Sequence, residues 1–510
     1  MRIYQSPADN KELPALERGR VLALFLVLLV CYGYFFPRWA DWNQNSRLDL
    51  TMAIVDQGSL CIDDYYQNTG DYAYFDGHYY SDKAPGVALL GVAPYAVFKF
   101  VMGWPPLQDA LRPVMHNQAF STTLREGGSG LQSQKVYFAL AQAFVTYCIV
   151  VVPSALLGVV MYYFLGSFVD RELYRLGLAL AYGLATPAFA YSGNLFSHQI
   201  VAALLFSAFY LLFRLKQRSA PSWVLVPAGA MVGLAVISEY PAAFIGLGLT
   251  AYAILVTPRK PMLLAYALAG VPFGLMLAWY NLTIFHTPWP VGYFYSTLFV
   301  EQHSAGFLSL TRPTTSALWG VTFGTDRGLF FLAPWLLLAV PAIGLLRRRR
   351  ALRLELIVAL YAVVGFLFFN ASSVMWQGGF AVGPRYLLPM LPFMVLLVGV
   401  VLQEWGTRRL VGQTAALLVA WSAFSVWAET IGGQSFPDWT PNPLFNYSLP
   451  RLVSGDIARN AGMIVGLTGW ASLAPLLVVL GSYVIWTIWA RYRRVPRLLA
   501  NEAVCGAGTD

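Results

Sequence analysis

Seven aspartates, Asp49, Asp56, Asp63, Asp64, Asp71, Asp76 and Asp82, fall within one stretch whose only countercharges are Arg47 and Lys83. The chain is only 12% charged, so acid gathered this densely calls for a reason. Tyr65, Tyr66, Tyr72, Tyr74, Tyr79 and Tyr80 are interleaved with it. A connecting loop needs only solubility, which Ser, Asn and Gly supply, and has no need of rings set between carboxylates. A flat apolar face beside hydrogen-bond acceptors is the pairing that grips a sugar ring. A carboxylate within reach of a hydroxyl can also take its proton. The plainer account is an interfacial aromatic belt with solvated acids.

The rest of the chain says where such a site must sit. Hydrophobic residues make up 57% of it, mean hydropathy is +0.56 and there are 16 Trp. A soluble globular chain has an apolar share of about 45–50%, so this composition indicates a polytopic membrane protein. The net charge of +9 lies in short basic clusters between apolar runs, which is an orientation signal and implies no nucleic-acid partner. Cys31, Cys61, Cys148 and Cys505 show no metal-ligand spacing, so neither disulfides nor a structural zinc site is expected. The first apolar run starts after about 20 residues and lacks a small-residue cleavage site, which reads as a retained span.

Apolar runs near 20–38, 136–166, 176–192, 199–215, 222–238, 240–257, 262–284, 329–346, 354–370, 385–403, 409–428 and 463–490 are read as about twelve helices crossing a core of about 30 Å. Backbone polar groups cannot be left bare in lipid, so continuous runs of this kind predict an all-α bundle, organised as one membrane domain over 1–510. Lys and Arg fall on every second connection, from Arg18 and Arg20 to Arg491, Arg493, Arg494 and Arg497. That alternation puts both termini in the cytoplasm. It makes 39–135 the first external loop, with juxtamembrane helices, and 429–462 the last. Counting 84–102 as a span would invert every later basic connection, so it is read as an interfacial or re-entrant helix started by Pro85. The segment 103–134, with Pro105-Pro106 and Gly127-Gly128-Ser129-Gly130, is expected to be flexible with little regular structure.

A first span followed by a long acidic external loop, with Tyr79-Tyr80-Ser81-Asp82-Lys83-Ala84-Pro85 leading into a juxtamembrane helix, resembles the polytopic GT-C glycosyltransferases. The resemblance is to the family of protein O-mannosyltransferases and lipid A aminoarabinose transferases. Ala185-Thr186-Pro187 with Tyr191-Ser192 before His198, and Gly383-Pro384-Arg385-Tyr386 with Pro389 and Pro392, are similar to segments of bacterial members. Matching the family's Arg at the end of the first span to Arg47 puts Gln44-Asn45 where an Asp-Glu pair is expected. The acid's role then passes to Asp49, with Asp63 and Asp64 in competition.

The resemblance implies transfer of a sugar from a polyprenyl-phosphate donor to a lipid, glycan or protein acceptor, at the external face of a bacterial cytoplasmic membrane. Asp49, or an acid beside it such as Asp64, would be the base, and Asp82 would orient the acceptor or the base. Lys83 and Arg385 would hold the donor phosphate, Arg as a fork and Lys as a point charge. Arg47 and Arg327 are further candidates. His198 and Glu239 are ionisable groups at the ends of apolar runs, so they are suspected of contacting the substrate. Each has a duller account. Asp49 caps a helix over 49–57, Asp82 and Lys83 form a surface pair, and Lys83 and Arg385 snorkel to headgroups. Trp319, Trp376 and Tyr386 are read as interface anchors. The residues define no particular cofactor, and a divalent metal held by His78, His198, Asp49 and Glu239 is an alternative. A non-enzymatic carrier or flippase for lipid-linked or anionic substrates is the alternative, followed by a glycan polymerase or ligase. A carrier needs polar residues through the bilayer, whereas here they gather outside the apolar runs.

Overall fold

A computed structural model of the chain describes residues 15–37, 41–115, 135–289, 291–298, 300–306, 309–437 and 440–492. Among the described residues, seven helices are long and apolar enough to cross a membrane: Lys135–Leu165, Ser197–Lys216, Lys260–Phe285, Arg350–Ala371, Arg385–Trp405, Arg409–Ile431 and Gly469–Ala490. Large hydrophobics such as Leu247, Leu275, Leu417 and Ile485 point outward from the bundle. With that many apolar helices and greasy outer faces, the chain is an integral membrane protein.

These seven coincide with seven of the twelve expected spans; the other five are broken, short or charged at one end. The run at 176–192 forms the helix Glu172–Leu184, and then the chain breaks at Ala185-Thr186-Pro187 before a single turn at Ala188–Tyr191. The run at 329–346 is cut into short pieces, Leu329–Leu332, Pro334–Ala339 and Ala342–Leu345, because Pro334 and Pro341 each remove a backbone donor. The helix Ala242–Val256 has 15 residues and rises about 22 Å, less than the apolar core. The first helix, Ala15–Tyr34, begins with Glu17, Arg18 and Arg20.

The segment after that first helix is folded over 41–115 and carries much of the site. Here α1 is Ala15–Tyr34, α2 is Trp42–Gln57, β1 is Tyr72–Phe75, β2 is His78–Ser81 and α3 is Gly86–Met102. α2 starts seven residues earlier than the expected 49. Its cap is Asp41, whose carboxylate accepts from Asn43 N at 3.0 Å and Gln44 N at 3.2 Å, which leaves Asp49 inside the helix. Gly58 closes the helix at φ 66°, a left-handed conformation that suits glycine.

The all-α expectation omitted the β1–β2 hairpin. Its turn is Asp76-Gly77 with φ 51° and 84°, and two positive values in succession define the tight primed turn that matches strand twist. The register pairs Tyr72 with Ser81 and Tyr74 with Tyr79. α3 meets the helix Pro105–Leu111 at 84°, a bent arrangement of the kind a re-entrant segment has. The helix Pro105–Met115 also replaces the irregular structure expected there, since paired prolines suit a first turn. Residues 116–134 of that expected loop lie outside the described residues.

Three further helices frame the site: α4, Ser197–Lys216; α5, Leu225–Ser238; and α6, Leu263–Phe285. A Cβ on Gly229 of α5 would collide with the carbonyl oxygen of Tyr266 in α6, and one on Gly233 would lie 2.8 Å from Gly270 O. Gly229 and Gly233, and Gly270 and Gly274, have the four-residue spacing that lets membrane helices touch backbone to backbone. We expect Gly229→Val to cost about 1–3 kcal/mol by forcing the two helices apart. Gly274→Ala, whose Cβ meets nothing within 4 Å, should be neutral. Thermal midpoints of the purified protein in detergent check both, and equal midpoints would refute the close-packing account.

Candidate functional site

The hairpin register sets the first contact. Extending the Tyr72–Ser81 pairing by one residue puts Asp71 opposite Asp82, and the ammonium of Lys83 lies between the two. Its Nζ is 2.9 Å from Asp71 Oδ2 and 3.1 Å from Asp82 Oδ1. The group is sealed rather than solvated, with side-chain exposures of 12% for Lys83, 14% for Asp71 and 2% for Asp82. Ser296 donates to Asp82 Oδ2 at 3.1 Å. Its segment is held against β1 by Thr297 N donating to Tyr72 O at 3.2 Å.

Burial sets the charge states. For Asp71, burial raises the pKa, but the Lys83 ammonium together with Arg385 and Arg47 outweighs it and the carboxyl stays below its ordinary range. Asp82 goes the other way. Burial, helped by the Asp71 charge, lifts its pKa above the ordinary value despite Lys83. Lys83 is penalised by burial, yet its two carboxylate neighbours hold its pKa above that of a free ammonium. Two carboxylates sharing one cation, with pKa values pushed apart, are the asymmetry that acid–base chemistry uses.

The loop-to-helix junction brings this triad to a second cluster. A Cβ on Gly86, the first residue of α3, would lie 2.5 Å from Ser238 Oγ and 2.6 Å from Ser238 N. Only glycine permits that approach, and it sets Asp82 and Lys83 near Glu239, which follows the end of α5. Glu239 accepts a short hydrogen bond from Ser197 Oγ and lies 3.5 Å from His198 Nδ1. Ser197 in turn accepts from Arg47 Nη2 at 3.1 Å. Arg47 is 3% exposed and is braced by Nη1 donating to Asn43 O at 2.9 Å.

Arg385, at the start of the helix Arg385–Trp405, stacks over Phe196 at 5.1 Å and Tyr386 at 5.3 Å. Gly378 and Gly379, at φ 68° and 82°, form the wall it lies against. Arg327 pins that wall by donating to Gln377 O at 2.7 Å and to Gly379 O. His198 meets the Tyr386 ring edge-on at 5.3 Å and lies within the fields of Arg385, Arg47 and Lys83. Among the described residues neither Arg47 nor Arg385 forms an ion pair. The Nε of each is buried without an acceptor. Converging guanidinium and ammonium groups, two of them without a carboxylate, suit an anion such as a phosphate.

The predicted site residues thus divide into two sets. Arg47, Asp82, Lys83, His198, Glu239 and Arg385 are brought together. Asp49 and Asp64 are not. Arg47 and Asp49 are two residues apart on α2, so their side chains point about 200° apart around the helix. Asp49 is fully buried on the other side, with Oδ1 accepting from Asn68 Nδ2 at 3.0 Å and Oδ2 unpartnered. Asp64 is exposed and accepts from Gln57 Nε2 at 2.6 Å. Of the metal candidates, His78 lies beside Asp63 at 2.7 Å, apart from the His198–Glu239 contact.

Tyr386, expected at the membrane interface, belongs to the cluster because it packs on both His198 and Arg385. Several tyrosines of the first loop pack on one another instead, with Tyr66 and Tyr79 stacked at 3.8 Å. Sequence reasoning missed three residues: Asp71, counted among the acids but given no role; Ser296; and Ser197. The signal for Asp71 was available, since Asp76-Gly77 between alternating aromatic runs marks a hairpin. Ser296 lies more than 200 residues from its partner and leaves no local trace.

No protein-family model matches the sequence, and no curated protein matches it. Among solved structures the chain is similar to ArnT from Cupriavidus metallidurans bound to undecaprenyl phosphate. The TM-score is 0.45 and the identity 13%, over 94% of this chain and 71% of that one.

Asp49 offers a test of its structural role. Burial raises its pKa well above the ordinary carboxylate value, only partly countered by Asn68. Its stability contribution is therefore complete below the unfolded pKa and declines as pH rises toward the folded one. Asp49→Asn keeps an oxygen for Asn68 and removes that decline. Its thermal midpoint should gain on the wild type as pH is raised from about 4 to 8. A midpoint difference that stays constant from about pH 4 to 8 would contradict this assignment.

Proposed function

We propose that the chain is an integral-membrane glycosyltransferase, which moves a sugar from a polyprenyl-phosphate donor to a lipid, glycan or protein acceptor at the external membrane face. The observation that carries this reading is the meeting of Arg47, Lys83 and Arg385 with a buried carboxylate of raised pKa, Asp82, beside Ser296. Among the described residues two of the cations form no ion pair with a carboxylate, which leaves capacity for an incoming phosphate.

In this reading the donor lies with its phosphate against Arg47 and Arg385 and its lipid chain in the bilayer. Asp82 accepts the proton of the acceptor hydroxyl as that oxygen attacks the anomeric carbon. The bond from that carbon to the phosphate oxygen breaks, and polyprenyl phosphate departs with the bond's electron pair. The three cations neutralise the charge that grows on the departing phosphate, and they act strongly because water is excluded. Lys83 and Asp71 have a second task, since they set the protonation of Asp82 and hold it in place. Glu239 and His198 face the same space, with Ser197 linking Glu239 to Arg47. The base is thus Asp82, and Asp49 supports the fold behind α2.

Purified protein supplied with a panel of polyprenyl-phosphate sugars tests this directly. Asp82→Asn should lower turnover by about 10²–10⁴-fold, the usual worth of a general base, while polyprenyl phosphate still binds. Full turnover by Asp82→Asn on a sugar that the wild type transfers would refute the assignment.

A further inference from the structure

Cys61, Asp63 and His78 each present a ligand atom, and these atoms lie within 4.8 Å of one another. Among the described residues they are the only trio of His, Cys and acidic side chains gathered this closely. None of them belongs to the cluster of Arg47, Asp82 and Arg385. The backbone fixes the grouping. Ile62 N donates to Tyr79 O at 2.8 Å, tying the segment after α2 to β2. Tyr79 N donates to Asp63 Oδ1 at 2.7 Å, which leaves Oδ2 facing His78 Nδ1 at 2.7 Å. Tyr80 lies beside Cys61. Asp63 thus has an outer partner, and Cys61 a hydroxyl neighbour, of the kind that orients a metal ligand.

We infer that Cys61, Asp63 and His78 form a binding site for a borderline-soft divalent cation, zinc by preference, which clips the segment after α2 to the hairpin. The donor set of one sulfur, one imidazole nitrogen and one carboxylate oxygen selects such an ion over magnesium or calcium, which prefer all-oxygen shells. With His78 55% and Asp63 41% exposed, a water from the open side completes a tetrahedron. Binding displaces the thiol proton of Cys61 to solvent and replaces the Asp63–His78 hydrogen bond by two metal bonds. Oxygen and nitrogen ligands on one zinc ion sit about 3.3 Å apart, so the pair opens by about 0.6 Å, a side-chain movement that its exposure allows. His78 begins β2, and that strand leads directly into Asp82 and Lys83. A metal here therefore stiffens the support of the cluster without touching it.

The test uses the full chain in detergent micelles, freed of metal by a chelator. Titration with Co²⁺ should give a thiolate-to-cobalt charge-transfer band that saturates at one equivalent and is absent in Cys61→Ser. Tyr80→Phe should keep the band and bind about 10–100-fold more weakly, as expected for loss of an outer partner. Zn²⁺ should also slow maleimide alkylation of Cys61 in the wild-type chain at least about 10-fold, reversibly on chelation. That readout needs no variant. No charge-transfer band, the same band in Cys61→Ser, or alkylation unaffected by Zn²⁺ would each overturn the site and leave only an Asp63–His78 pair.

Discussion

A lysine enclosed between two carboxylates holds this structure's site together. Lys83 bridges Asp71 and Asp82 in a pocket nearly closed to solvent, where removing one member leaves a charge that water cannot reach. That requirement fixes the hairpin register, because only with Tyr72 against Ser81 do the two acids face each other. It also explains the glycine at the start of α3. Without close contact between Gly86 and Ser238, the triad would sit a side chain's width from Glu239 and the helices that carry the arginines.

Around this anchor the helices supply side chains from three directions. Arg47 comes from α2, His198 from the start of α4, and Arg385 from a helix that begins almost 200 residues later. Like charges gather at a cost in a membrane protein, and such an arrangement persists where anions offset it. Asp71, Asp82 and Glu239 offset part of it, and an arriving phosphate would offset more. The aromatic rings of Phe196 and Tyr386 hold Arg385 without neutralising it, so its charge stays available.

Much of this was legible in the sequence, for reasons that can be named. Apolar runs of span length are read by counting, and seven of them are helices of that length. Asp82, Lys83, Arg385, His198 and Glu239 stood out because ionisable residues at the ends of apolar runs are rare and costly. Asp49 falls outside the cluster because proximity in sequence does not give direction on a helix: two residues from Arg47, it points to the opposite side. Asp71 was hidden until the hairpin was seen, since its partner is defined by strand register rather than by spacing. The broken run at 329–346 shows the remaining limit. Mean apolarity there is that of a span, but Pro334 and Pro341 cut it into turns.

The most direct measurement is a cryo-EM structure of the full chain with polyprenyl phosphate bound. The account predicts phosphate density within hydrogen-bond reach of the Arg47 and Arg385 guanidinium groups, near Lys83, with the lipid chain leading into the bilayer. Phosphate bound elsewhere, with these three cations as they are without it, would contradict the claim that they gather around a lipid phosphate.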